Sequence, residues 1–246
     1  MRKAVILAGG TGSRLSPITR IINKHLLPVG KYPMIYWPIL KVKEAGITDI
    51  LILTSREHLS SFIQLLGDGK ELGVCLHFAI QEQASGIADA LSLAEDFVGE
   101  EKFLVLLGDN LFVEDLSPFV EQFYQQKEGA FILLKEVPEA NRYGIALIDK
   151  QTQTVSKLIE KPNMKGPAYC VTGIYMYDKT VFSYIKKINP SKRGELEITD
   201  VNNFYVQQGT MGFNILKDWW IDAGTHESLF QANFYMFDND LKGRRS

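Results

Sequence analysis

Apolar positions in the first half of the chain switch between two periods. Residues 4–8 form an unbroken apolar run that stops at glycine, as a buried strand does. Within residues 33–45 the spacing turns helical, with Pro38 set to kink that helix or delay its start. Residues 50–54 read as a strand. Leu59, Phe62, Ile63 and Leu66 then recur at i, i+3, i+4, i+7, with Gly67 as the stop. Residues 74–80 are again a strand, and Ile87, Leu91, Ala94 and Val98 a helical stripe. Residues 103–107 are a short apolar run suited to a strand covered on both faces, and Leu116, Phe119, Val120 and Phe123 mark the next helix.

This alternation over about 110 residues predicts an α/β protein with a mostly parallel sheet covered by helices on both sides. Further along, strands dominate, at 130–136, 145–148, 154–160, 169–177 and 213–221, with helices at 179–188 and 198–208. Linkers, repeats and low-complexity tracts are lacking, so the expectation is one domain over 1–246 built on a mixed sheet. The polar tail, 238–246, is expected to fray.

Composition adds bounds. At 46% hydrophobic and 23% charged the chain matches a soluble globule. No apolar run approaches the roughly 18 residues that span a bilayer. Cys75 and Cys170 both fall in predicted strands, so buried reduced thiols and a cytoplasmic location are expected. The histidines, at 25, 58, 77 and 226, show no zinc spacing.

Charge changes the picture more. Met1 to Lys43 carries eight Lys/Arg and no Asp or Glu, whereas the remainder, 19 basic against 29 acidic residues, carries −10. A basic beginning on an acidic chain points to a local polyanion site, not to a general affinity for nucleic acid. The first strand runs into AGGTGSR, with glycines at 9, 10 and 12 and then Arg14 and Lys24. Gly-rich backbone after a strand lets N–H groups approach phosphate, and Arg14 adds a planar multi-donor cation. The loop is neither GxxxxGK[ST] nor GxGxxG, because Leu15 stands where a third glycine would be. Two cations beside it suit a triphosphate.

Other candidates follow strands. Asp109 in LVLLGDN should sit beyond a central strand and share a crevice with the glycine loop; it is a natural Mg²⁺ ligand, or only part of a turn. Asp222 in WWIDAGT is a second candidate, or a helix cap. Lys161 in EKP and Arg193 in SKRGEL are candidate anion contacts, or surface charges; Asp238-Asn239-Asp240 is discounted as part of the tail. A GxSxG motif and Cys/His pairs are missing. Nucleotidyl transfer to a phosphomonoester needs neither, because that nucleophile, with a second pKa of about 6, is already anionic. Its difficulty is repulsion: like charges 4 Å apart repel by about 4 kcal/mol at an effective dielectric near 20. A site rich in cations and poor in bases answers it.

With these residues in view, the sequence resembles the sugar-1-phosphate nucleotidyltransferases, in particular their thymidylyl branch. The resemblance is carried in order by LAGGTGSRLSPIT, NKHLLPVGKYPMIYWP, GDN, RYGIALID, EKP, TGIYMYD, RGELEITDVN and WWIDAGTHESL. It implies a Rossmann-like, GT-A-like three-layer sandwich, with 1–110 as nucleotide-binding half and 111–230 as sugar-phosphate half. It implies Leu7, Gly9, Gly10 and Gly12 around the nucleoside and its phosphates, Arg14 and Lys24 on the triphosphate, and Gln81 and Gly86 at the base. Asp109 and Asp222 would bind Mg²⁺. Asn110, Tyr143, Gly144, Glu160 and Val171 would cradle the hexose, and Lys161 and Arg193 would grip its phosphate. Arg14, Lys24 and Lys161 would be catalytic.

The implied reaction joins dTTP and α-D-glucose 1-phosphate to give dTDP-glucose and pyrophosphate, for polysaccharide biosynthesis of the dTDP-rhamnose kind. Neither nucleic acid nor a membrane is an expected partner, and room is left for a homo-oligomer. Uridylyl or cytidylyl transfer, a non-catalytic nucleotide-sugar sensor and a glycosyltransferase are the alternatives. Two departures stand out: the segment from Gln81 reads QEQASGIAD, without the prolines and Asp usual between Gln and Gly or the Gln usual soon after, and His25 stands where longer members carry Gln. The chain resembles the short type, without a C-terminal extension.

Overall fold

The computed structural model describes residues 2–243. In chain order come β1 (Lys3–Leu7), a small hairpin of β2 (Pro28–Val29) and β3 (Tyr32–Pro33), α1 (Tyr36–Glu44), β4 (Asp49–Ser55), α2 (Leu59–Leu66) and β5 (Cys75–Gln81). Next are α3 (Ile87–Ser92), α4 (Glu95–Val98), β6 (Phe103–Leu107), β7 (Asn110–Phe112) and α5 (Ser117–Gln125). The later part adds β8 (Ala130–Val137), β9 (Gly144–Asp149), β10 (Thr154–Glu160), β11 (Ala168–Tyr177), α6 (Thr180–Ile185) and α7 (Ile198–Gln207). It closes with β12 (Met211–Ile215), β13 (Trp220–Asp222) and α8 (His226–Gly243).

One nine-stranded sheet organises these elements, in the order β10-β9-β11-β6-β1-β4-β5, with β8 also on β11 and β12 on β8. The strands β5, β4, β1 and β6 are mutually parallel, as apolar runs separated by helices predict. Antiparallel pairing enters with β11, which lies against β6, β8 and β9. The sheet is therefore the mixed one expected. Along β1 the side chains divide between two cores. Val5 and Leu7 join Ala88, Leu91, Phe182 and Val201 from α3, α6 and α7. Ala4 and Ile6 join Ile39, Phe62 and Phe123 from α1, α2 and α5. Helices thus cover both faces, giving three layers.

Several boundaries differ from the pattern. Pro38 is the third residue of α1, where its missing N–H is one the first helical turn leaves unpaired anyway. The single strand expected over 213–221 is two, because the Glu114 carboxylate accepts from the N–H groups of Lys217 (2.9 Å) and Asp218 (3.1 Å) and turns the chain. The stripe from Ile87 to Val98 is likewise split, into α3 and α4. Cys170 is buried, but Cys75 is exposed: it begins the edge strand β5, where Cys75 and His77 face out and Leu76 faces in. The start of the tail, residues 238–243, is the end of α8, and positions 244–246 lie outside the described residues. Among the described residues no helix is long and apolar enough to cross a membrane.

Candidate functional site

The carboxyl ends of β1, β5 and β6 open into a cleft of about 740 Å³. Parallel strands deliver their ends to the same side, so residues far apart in sequence converge there. Leu7, Gly9, Gly10, Arg14 and Lys24 line one part of it, with Gln81 and Gly86 beside them. Asn110, Tyr143, Gly144, Glu160, Lys161, Val171 and Arg193 line another, and Asp109 and Asp222 also face the cleft. Gly12 is outside the wall. With φ +64° it shapes the turn, its carbonyl accepting from Thr19 Oγ1 at 2.8 Å.

Two carboxylates are brought together by a pairing the sequence does not advertise. GDN is not simply a turn: Asn110 begins β7, which pairs antiparallel with β13 and sets Asp222 opposite Asn110. Asp109 immediately precedes it, and its carbonyl accepts from the Ala223 N–H at 2.9 Å. Asn110 is pinned by its own side chain, Oδ1 accepting from the Gly173 N–H (3.0 Å) and Trp220 Nε1 (2.9 Å).

Each carboxylate faces one of the cations singled out from sequence. Lys24 Nζ donates to Asp109 Oδ2, the two side chains being only 12% and 9% exposed. Arg14 lies 3.6 Å from Asp222. Burial opposes ionisation of Asp109 most strongly, but the Lys24 ammonium and the Asn110 amide hold its carboxyl below the usual range. Asp222 moves the other way, raised by burial and by the charge of Asp109, with Arg14, Lys24 and Arg142 acting against the rise. His25 is 2% exposed, and its Nδ1 lies 2.7 Å from Asn23 Oδ1. Burial, then the Lys24 charge, push its pKa down from 6.5 to about 3. It is a neutral ring beside the ion pair.

A second charged group also lines the cleft. Arg193 reaches Glu197 at 2.8 Å, Glu195 at 3.1 Å and Glu160 at 3.4 Å, while Lys161 lies 3.6 Å from Glu160. Glu160 Oε2 accepts from Thr199 Oγ1 at 2.6 Å. Lys161 has φ +40°, a left-handed conformation a lysine rarely adopts, and its N–H donates to the Tyr143 carbonyl at 3.0 Å. Tyr143 packs edge-on against Trp220, ring centroids 5.7 Å apart.

Sequence reasoning passed over Arg142, Trp220 and Thr199, all of which line the cleft. Each stands inside a motif already quoted (RYGIALID, WWIDAGT, RGELEITD), so motif membership was the available signal. A separate trio, Asp49, Cys75 and His77, gathers at the amino-terminal ends of β4 and β5, away from the cleft. His77 Nε2 is already hydrogen-bonded to Asp49 Oδ1 at 2.8 Å, and the carboxylates of the cleft remain the better place for a hard cation.

The family model described as nucleotidyl transferase matches residues 3–239. A glucose-1-phosphate thymidylyltransferase of Neisseria meningitidis is 40% identical over 94% of this chain and 81% of its own length. One from Xanthomonas campestris is 40% identical over 94% of this chain and 79% of its own. Among solved structures, a Bacillus anthracis protein assigned provisionally to the same enzyme, in complex with sucrose, is 52% identical. It has a TM-score of 0.91 and overlaps 97% of this chain and 96% of its own. A UDP-glucose pyrophosphorylase at 23% identity and TM-score 0.86 shares the fold. With a family model spanning nearly the whole chain and relatives this similar over most of their length, the chain belongs to the nucleotidyl transferase family.

Proposed function

We propose that this chain transfers a deoxythymidylyl group from dTTP to α-D-glucose 1-phosphate, releasing pyrophosphate and dTDP-glucose. The observation that carries this reading is a single cleft lined by two groups of cations, Arg14 and Lys24 on the aspartates and Lys161 and Arg193 among glutamates. Two anions held by those groups can be brought together while their repulsion is offset.

In this reading residues 1–110 supply the nucleotide end and residues 111–230 the sugar-phosphate end. Leu7, Gly9 and Gly10 flank the nucleoside and its phosphates, and Gly12 turns the loop that does so. Gln81 and Gly86 meet the base. Asn110, Tyr143, Gly144, Glu160 and Val171 enclose the hexose, its hydroxyls donating to the Glu160 carboxylate, and Lys161 and Arg193 hold its phosphate. A phosphate oxygen of the sugar attacks the α-phosphorus; the bond from that phosphorus to the oxygen bridging the β-phosphorus breaks, and its electron pair leaves with pyrophosphate. Arg14 and Lys24 receive that growing charge, and no side chain need take a proton because the nucleophile is already ionised. Lys24 and Arg14, now on Asp109 and Asp222, exchange those partners for phosphate oxygens.

Two largely buried carboxylates on one cleft wall, presenting oxygen donors only, fit a hard divalent ion such as Mg²⁺. Asp109 and Asp222 would hold it, and it would supply further neutralisation of phosphate charge.

Pyrophosphate release with paired nucleoside triphosphates and sugar 1-phosphates tests the proposal. Turnover is expected to be fastest with dTTP and glucose 1-phosphate. Folded protein inactive with glucose 1-phosphate and either dTTP or UTP, Mg²⁺ present, would refute it.

A further inference from the structure

Gln81 ends β5 in the cleft wall and is 6% exposed. Its neighbours permit one orientation of the side-chain amide. Nε2 donates to Asp89 Oδ2 at 2.8 Å and to the Gly86 carbonyl at 3.3 Å. Both partners can only accept, so the amide turned over would set its oxygen against a carboxylate and a carbonyl. Oε1 therefore points the other way, over the glycine loop, where a Cβ on Gly9 would come within 2.8 Å of it. No described residue donates to Oε1. It is also open to the cleft, since among the described residues every side-chain nitrogen or oxygen sealed from solvent has a partner.

From this geometry we infer that Asp89 is a positioning residue, fixing Gln81 so that the base site presents a lone acceptor and demands an N–H donor. The inference rests on the nucleotide reading above and makes it more specific. Thymine and uracil carry a proton on N3, whereas N3 of cytosine is an acceptor and would meet Oε1 lone pair to lone pair. The thymine methyl group plays no part in this contact. Asp89 matters because a carboxylate can only accept; an amide at position 89 could also donate, and would let Gln81 turn.

The test compares kcat/KM for dTTP, UTP, CTP and 3-methyl-dTTP, whose N3 is blocked, in the wild-type protein and in Asp89→Asn. Wild type is expected to favour dTTP and UTP over CTP and 3-methyl-dTTP by about a hundredfold or more. Asp89→Asn is expected to shrink the dTTP:CTP ratio by about tenfold. The dTTP:UTP ratio and the KM for glucose 1-phosphate should stay as in wild type. Equal slowing with all nucleotides in Asp89→Asn overturns the inference, because it marks a merely structural role. So does wild type using 3-methyl-dTTP as well as dTTP, an arm that stands even if the variant does not fold. Wild type inert with every nucleotide refutes the transfer reading instead. Calorimetric titration with dTTP and 3-methyl-dTTP then decides the amide's role, and equal affinity overturns it.

Discussion

Lys24 and Asp109 each make it tolerable for the other to be charged, since neither side chain is more than 12% exposed. Breaking a buried pair from one side costs more than removing both partners, because a lone buried charge remains. Lys24→Met is expected to lose about 3 kcal/mol of stability, and Lys24→Met with Asp109→Asn to recover most of it; urea midpoints of the single and double variants check this. Recovery of stability should not bring recovery of turnover. His25 makes a different residue-scale prediction. With its pKa lowered from 6.5 to about 3, the unfolded chain binds a proton there that the native chain refuses. Stability therefore rises with pH across that window, by up to about 1.4 kcal/mol per unit from this group. His25→Gln should flatten the acid side of the stability profile relative to wild type, and an unchanged slope would show that the ring is not held neutral.

At the scale of elements, Gly86 shows how backbone fixes a wall of the site. It precedes α3 at φ +110°, and an added Cβ would lie 2.5 Å from the Leu196 carbonyl oxygen and 2.8 Å from its nitrogen. Gly86→Ala is expected to cost about 2 kcal/mol or more and to raise the KM for nucleotide, measured by thermal unfolding and steady-state kinetics. Elements with a strong local period were legible in the sequence, as β1, β4 and β6 show, because burial on both faces writes a continuous apolar run. The three-residue β7 was not, since it is too short for a period and is defined by its long-range pairing with β13. The same pairing unites Asp109 with Asp222, so each carboxylate could be nominated locally but their meeting could not be read. Cys75 was misplaced for a related reason. Its run looks apolar, yet on an edge strand alternate positions face outward.

For the whole molecule, what counts is that one cleft is lined by two groups of cations from different parts of the chain, which the proposal assigns to different substrates. Removing a cation from one group should weaken one substrate and spare the other. Arg193→Met is expected to raise the KM for glucose 1-phosphate about tenfold or more with little change for dTTP, and Arg14→Met the reverse. Initial rates over a grid of both substrates separate the two effects, and a matched rise for both in either variant would contradict this division. Motifs were enough to nominate most residues of both groups. The ion pairs within them, Lys24 with Asp109 and Arg193 with Glu197, depend on packing and had no sequence signal.

The central claim is direct displacement between two anions whose charge the cleft offsets, with no group of the protein bonded to the nucleotide along the way. The stereochemical course at the α-phosphorus reads this most directly, using dTTP carrying a single-configuration sulfur at that position. Inversion in the dTDP-glucose product is the predicted result. Retention would mean two successive displacements through a covalent nucleotidyl-protein, and would contradict the account.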